Sequence, residues 1–160
     1  MHPTILPVAN MLDRNAMLFA KAVGDVKDED QLRRPAPTAN SINWIAGHIT
    51  LYRYMILKVM GENVTTPWED LYSRGLTVQD DLKYPSLSEI QAMFTPTIEQ
   101  IKNVMESMSE DQWAAKPIRE LEGFEPSVRG TTAFLVRHET YHIGQLAYLR
   151  RLFGYDQLVG

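Results

Sequence analysis

The chain contains no cysteine. Disulfides, thiolate metal sites and a cysteine nucleophile are therefore excluded, and any sulfur chemistry must bring its thiol from outside. No apolar run approaches the ~18 residues that a membrane-spanning helix requires. Excess basic charge is missing too: 16 Lys and Arg stand against 20 Asp and Glu, a net charge of −4. That balance gives no electrostatic reason to expect nucleic acid as a partner, and Arg137, Arg150 and Arg151 are too few for a polyanion groove. Residues 1–10 place no basic segment before an apolar one, so no signal peptide is expected and the cytoplasm is the default compartment. Strand-type alternation, internal repeats and low-complexity tracts are also lacking.

What remains is a 160-residue chain with 44% hydrophobic residues, enough for one domain over 1–160 with an ordinary core. Four segments repeat apolar residues at three- and four-residue steps, the period of a helix. The first covers 6–26, with Val8, Leu12, Phe19, Ala22 and Val26 on its stripe and Asn15 as a polar interruption. The second covers 41–60, where Ile45, His48, Tyr52, Met55 and Val59 share a stripe; Asn40 or Ser41 caps its start and Gly61 stops it. The third covers 87–108, opened by the capping-box pair Ser86 and Glu89. The fourth covers 131–153, with Leu135, His138, His142, Gln145 or Leu146, Leu149 and Phe153 in line.

The expected fold is all-α, a four-helix bundle. Residues 62–85 form a long second connection, able to run back along a helix about 30 Å long. Helices two and three should then be parallel, joined by a crossover. Residues 109–130 form another extended connection, with Trp113 and Phe124 as its anchors.

Three of the four histidines, His48, His138 and His142, fall on apolar stripes of two helices. A single histidine on such a stripe is most often a hydrogen-bonded core residue. Three of them, two at i and i+4, would each need a partner. The i, i+4 pair stacks on one helix face and can converge on one divalent metal ion, zinc or nickel, with His48 as third ligand. Three protein ligands leave a coordination position open for a small-molecule substrate.

Residues 138–142 also match the H-E-x-x-H pattern of zinc proteases, with Glu139 as general base. The surroundings do not suit a protease: Gln145 and Tyr148 stand where the longer motif has its glycine and third histidine, and no strand is present to hold a peptide. Glu139 is thus a base beside the metal or a solvated surface charge. Gln145 and Tyr52, on the same faces as the histidines, are candidate substrate-pocket or supporting residues; Tyr52 is equally a core residue.

The segment Thr38-Ala39-Asn40-Ser41-Ile42-Asn43-Trp44-Ile45-Ala46-Gly47-His48, together with His138-Glu139-Thr140-Tyr141-His142-Ile143-Gly144-Gln145, resembles the paired motifs of the DinB/YfiT-like family over nearly the whole chain. The resemblance implies up-down-down-up topology, a metal on His48, His138 and His142, and frequent homodimers. It also implies relatives that are thiol S-transferases or thiol-dependent isomerases using low-molecular-weight thiols. Three functions follow: a thiol-dependent enzyme, a hydrolase that activates water on the metal, or a non-enzymatic metal- or ligand-binding protein. A homodimer is also expected from Met11, Met17, Leu18 and Val23 beside the first stripe, and Met93 and Val104 beside the third. This is more apolar surface than a bundle uses unless the loops cover it.

Overall fold

A computed structural model describes residues 3–117 and 124–159. Its bundle helices are α1 (Leu6–Val23), α2 (Ile42–Val59), the pair α4 (Leu87–Phe94) and α5 (Pro96–Ser107), and α7 (Val128–Leu152). Two short helices, α3 (Glu69–Tyr72) and α6 (Glu110–Ala114), lie in the long connections. There is no strand among the described residues, and no helix is long and apolar enough to cross a membrane.

The side-chain links give the directions. Asn15 reaches Val136 and Thr140, and Arg150 reaches Ala22, so α1 and α7 run together. Phe19 stacks on Phe94 and Asp13 pairs with Lys102, so α4 and α5 oppose α1. Asn43 bonds Pro85 and Tyr54 bonds Met93, so α2 and α4 run in parallel. This is the up-down-down-up bundle, with the crossover at 60–86. Its core includes Phe19, Ile49, Phe94 and Leu146, all essentially shielded from solvent; each such side chain contributes roughly 1.5–3 kcal/mol by leaving water.

The helix starts follow from local chemistry. Ser41 accepts from the Trp44 N–H, Ser86 and Glu89 form the reciprocal box, and Ser127 accepts from the Gly130 N–H. The expected third helix is two pieces. Pro96 has no N–H to continue the ladder, so the helix is interrupted at Thr95, which keeps helical dihedrals. The hydroxyls of Thr95 and Thr97 donate to the carbonyls of Gln91 and Phe94 around the break.

The last helix begins three residues earlier than its periodicity suggests. Gly130 permits this: a Cβ there would lie 2.1 Å from the Glu125 carbonyl oxygen. A second capping box, Ser109 with Gln112, makes α6 from sequence expected to be extended. It seats Trp113, fully buried, in the core.

The surplus apolar surface is smaller than the sequence suggests. Val23 is buried, and Leu18 and Val104 pack against the core. Met11, Met17 and Met93 remain exposed.

Candidate metal centre

The site grows out of the way the crossover is fastened to α2. Asn43 and Gly47 occupy one row of that helix, Trp44 and His48 the next, each pair at i and i+4. Asn43 donates to the Pro85 carbonyl and accepts from the Tyr72 hydroxyl at 2.9 Å. Trp44 Nε1 donates to the Leu71 carbonyl at 3.1 Å. A Cβ on Gly47 would fall 2.3 Å from the Tyr72 ring, so glycine is what lets that ring lie flat on α2. The result places the Tyr72 carbonyl 2.6 Å from His48 Nδ1.

Across the interface, α7 presents His138 and His142. The structure brings all three histidines together: their candidate ligand atoms lie within 4.8 Å of one another. Nε2 of His138 is 3.4 Å from Nε2 of His48 and 3.1 Å from Nε2 of His142. His48 Nδ1 faces the Tyr72 carbonyl, and His142 Nδ1 faces Gln145 Oε1 at 2.7 Å. Both acceptors require the proton on Nδ1, which leaves the Nε2 lone pairs of those two rings turned toward His138. His138 Nδ1 is buried with no partner.

A neutral His138 can donate from Nε2 to only one of those lone pairs, whereas a cation between the rings satisfies all three. A tetrahedral ion with metal–nitrogen bonds of about 2.0–2.1 Å separates its nitrogens by about 3.3 Å, and the observed spacings straddle that value. Carbonyl oxygens behind two of the rings are the usual supports of a ligating histidine. The donor set therefore fits a divalent ion.

Aromatic rings wall the cluster. Trp44 stacks on His48 at 4.8 Å and Tyr52 lies 4.6 Å from His48 and 4.5 Å from His138. Phe134 stacks on His138, and Tyr141 meets His142 edge-on. Desolvation by these walls is the first cause of the low imidazole pKa values. It takes His48 to about 4, against the opposing bond to Tyr72, and His138 to about 3, aided by the neighbouring cations. His142 is lowered as well, its bond to Gln145 opposing. All three are neutral near pH 7, as ligands must be.

In the metal-free protein these shifts link stability to pH. Folded-state values lie below the unfolded value near 6.5, so the unfolded chain binds protons that the folded cluster refuses. Stability should be fully present above about pH 6.5 and decline as pH falls toward 4 and then 3. Denaturant midpoints in chelator at pH 7.5 and 5 measure this. Replacing all three histidines by glutamine should flatten the decline between those two pH values; an unchanged decline would assign it to other groups.

Glu139 requires a correction. It is not a solvated surface charge: its side chain is 2% exposed, and its two oxygens accept from Arg53 Nε at 2.9 Å and Nη2 at 2.8 Å. Arg53 is equally buried, donates also to the Leu12 carbonyl, and lies 4.1 Å over the Phe94 ring. The pair ties α1, α2, α4 and α7 together behind the cluster. Sequence reasoning missed Arg53, although a cation four residues from Ile49 on an apolar stripe was the available signal. It also missed Asn43 and Tyr72.

Gln145 sits where two features meet. Besides holding His142, it donates to the Tyr141 hydroxyl and lines a cleft of about 600 Å³ with Asn40, Ile45, Gly144 and Tyr148. Tyr52 lies on the other side, against His48 and His138.

The same bundle occurs in solved structures. YfiT from Bacillus subtilis, described as a probable metal-dependent hydrolase with an unusual four-helix bundle topology, superposes with a TM-score of 0.67 at 13% identity. The match covers 94% of this chain and 87% of that one. A conserved protein from Enterococcus faecalis superposes with a TM-score of 0.66 at 17% identity, over 95% and 97% of the two chains. No curated protein matches the sequence. Residues 11–146, which carry the crossover-fastening row and all three clustered histidines, match the family model, and the chain belongs to the DinB superfamily.

Proposed function

We propose that the protein is a metal-dependent enzyme acting on a small molecule, with one divalent ion, zinc or nickel, on His48, His138 and His142 and a low-molecular-weight thiol as nucleophile. The observation that carries it is the convergence of three Nε2 atoms at 3.1 and 3.4 Å while two of the opposite nitrogens are held by carbonyl oxygens. Bound there, the ion would supply a Lewis acid that lowers the pKa of one small nucleophile. The Tyr72 carbonyl and Gln145 fix the tautomers of His48 and His142. Trp44, Tyr52 and Phe134 keep bulk water from the cluster.

The choice of a thiol rests on Glu139. Its oxygens are both engaged by Arg53, and no carboxylate joins the three imidazoles among the described residues. Water on such an ion would reach a pKa of about 7 but lack a side-chain base for its second proton, whereas a thiol has one proton and would lose it outright. Hydrolysis is the second reading, favoured by the likeness to YfiT and its description; a non-enzymatic metal-binding role is the third. Cobalt(II)-loaded protein separates them. A charge-transfer band on adding a cellular thiol, with turnover that needs the thiol, supports the proposal. Turnover in water alone would replace it with the hydrolase, and neither result leaves the binding protein.

We also propose a twofold homodimer, the commonest closed assembly. Met17 and Met11 on α1 and Met93 on α4 are exposed, and methionine suits adaptable contacts. Light scattering should give twice the 18.3 kDa chain mass at micromolar protein. The double variant M17E/M93E should scatter as a monomer; a dimer that survives it uses another face.

A further inference from the structure

The net charge of −4 hides a local reversal around the histidines. His138 is the least buried of the three, with His48 and His142 at 3% and 8% exposure, so the open side of the cluster is its side. Arg137 precedes it in sequence. The Arg137 guanidinium rests 5.5 Å from the centre of the Phe124 ring and 5.4 Å from that of Phe134, the ring that stacks on His138. Those rings hold the guanidinium while its N–H groups make no hydrogen bond or ion pair among the described residues. Arg74 belongs to the crossover: it follows by two residues Tyr72, whose carbonyl supports His48, and it too is exposed and unpaired among the described residues. Both cations act on His138 electrostatically, behind burial and the other two imidazoles. The nearest buried carboxylate, Glu139, is already neutralised by Arg53.

A guanidinium fixed by rings with its donors free is a preorganised receptor for an oxyanion, since binding loses little side-chain freedom and each bond is charge-assisted. We propose that the substrate of this centre is an oxyanion-bearing small molecule, its anionic group held by Arg137 and Arg74 on the His138 side of the cluster. This rests on the metal-enzyme reading above, but not on whether thiol or water is the nucleophile.

Two hydroxamates test it on cobalt(II)-loaded protein: acetohydroxamate, and the succinic acid monohydroxamate that adds a carboxylate. Both report through the visible cobalt bands, and neither needs turnover. The carboxylate probe should bind about tenfold more tightly or better, the size of a charged hydrogen-bond pair. R137Q and R74Q should each shrink that preference while leaving acetohydroxamate affinity within about twofold, and R137K should restore only part, because lysine lacks the planar fork. Equal binding of the two probes, or a preference that survives both variants, overturns the inference and leaves the metal centre standing. Failure of both probes to perturb the cobalt bands overturns the metal reading, and the inference with it.

Discussion

Replacing Arg53 by alanine is expected to lower the unfolding free energy by about 3–5 kcal/mol, because it strands the Glu139 carboxylate in the core. The loss is large against the roughly 5–15 kcal/mol that holds a domain folded. The Leu12 carbonyl also loses a donor and the Phe94 ring its cation. E139A should cost a similar amount, since the guanidinium is then the unpaired charge. The double variant R53M/E139L should lose much less than the sum, because a buried pair and well-packed apolar side chains of similar size are close in stability. Denaturant unfolding of the double variant beside R53M and E139L alone measures the coupling. The comparison also decides what Glu139 is for. A general base would make E139Q well folded and slower by about 10²–10⁴-fold; a structural partner of Arg53 makes its loss appear in stability first. A cost under about 1 kcal/mol for both single variants would mean that the pair is solvated in solution and free to act elsewhere.

Metal loading should change both stability and stoichiometry. Protein purified without a histidine tag and reloaded should hold about one divalent ion per chain by elemental analysis. H48A, H138A and H142A should each weaken binding by more than the 10–100-fold typical of losing a ligand's supporting partner. If H48A binds as well as the wild type, the third-ligand assignment fails. Because the ligands come from α2 and α7, the ion cross-links two helices of the folded state only. At free metal about 100 times the dissociation constant this adds about 2.7 kcal/mol, or a rise in Tm of roughly 5–10 °C for a chain of this size. Chelation should remove that increment and leave the far-ultraviolet helical signal intact, since the apolar core does not depend on the ion. Complete unfolding on chelation would show that the core has been overvalued.

The ion pair and the histidine cluster lie on opposite sides of one interface. Arg53 and Glu139 clamp α2 to α7 on the buried side, and the histidines meet on the side toward the crossover. The clamp sets the register that lets Nε2 atoms from different helices approach to 3.4 Å. A charge pair fully desolvated between helices contributes little net stability but penalises any slip of one helix along the other.

The amino-acid order by itself determined the elements with strong local signals. A 3.6-residue apolar period placed α1, α2 and α7 to within a few residues, the Ser86–Glu89 box placed the start of α4, and the length of 62–85 implied the parallel crossover. It also put His48, His138 and His142 on inward stripes, because periodicity alone decides which way a helical side chain faces. Pro96 was readable as a break, but the unbroken apolar stripe from Leu87 to Met108 masked it. Only the tertiary structure decided which partners these residues meet. Glu139 is one residue, about 100° of helix rotation, from His138, and that angle serves a surface charge, a base or a buried pair equally well until α2 is docked. Arg53 then supplies the answer from 86 positions away. The Tyr72 carbonyl behind His48 is likewise a backbone atom, carrying no mark in its side chain. It reaches the histidine because Gly47 removes the one Cβ that would hold its ring off the helix. Local chemistry is written along the chain; hydrogen bonds between distant segments depend on packing, and packing is a property of the whole core.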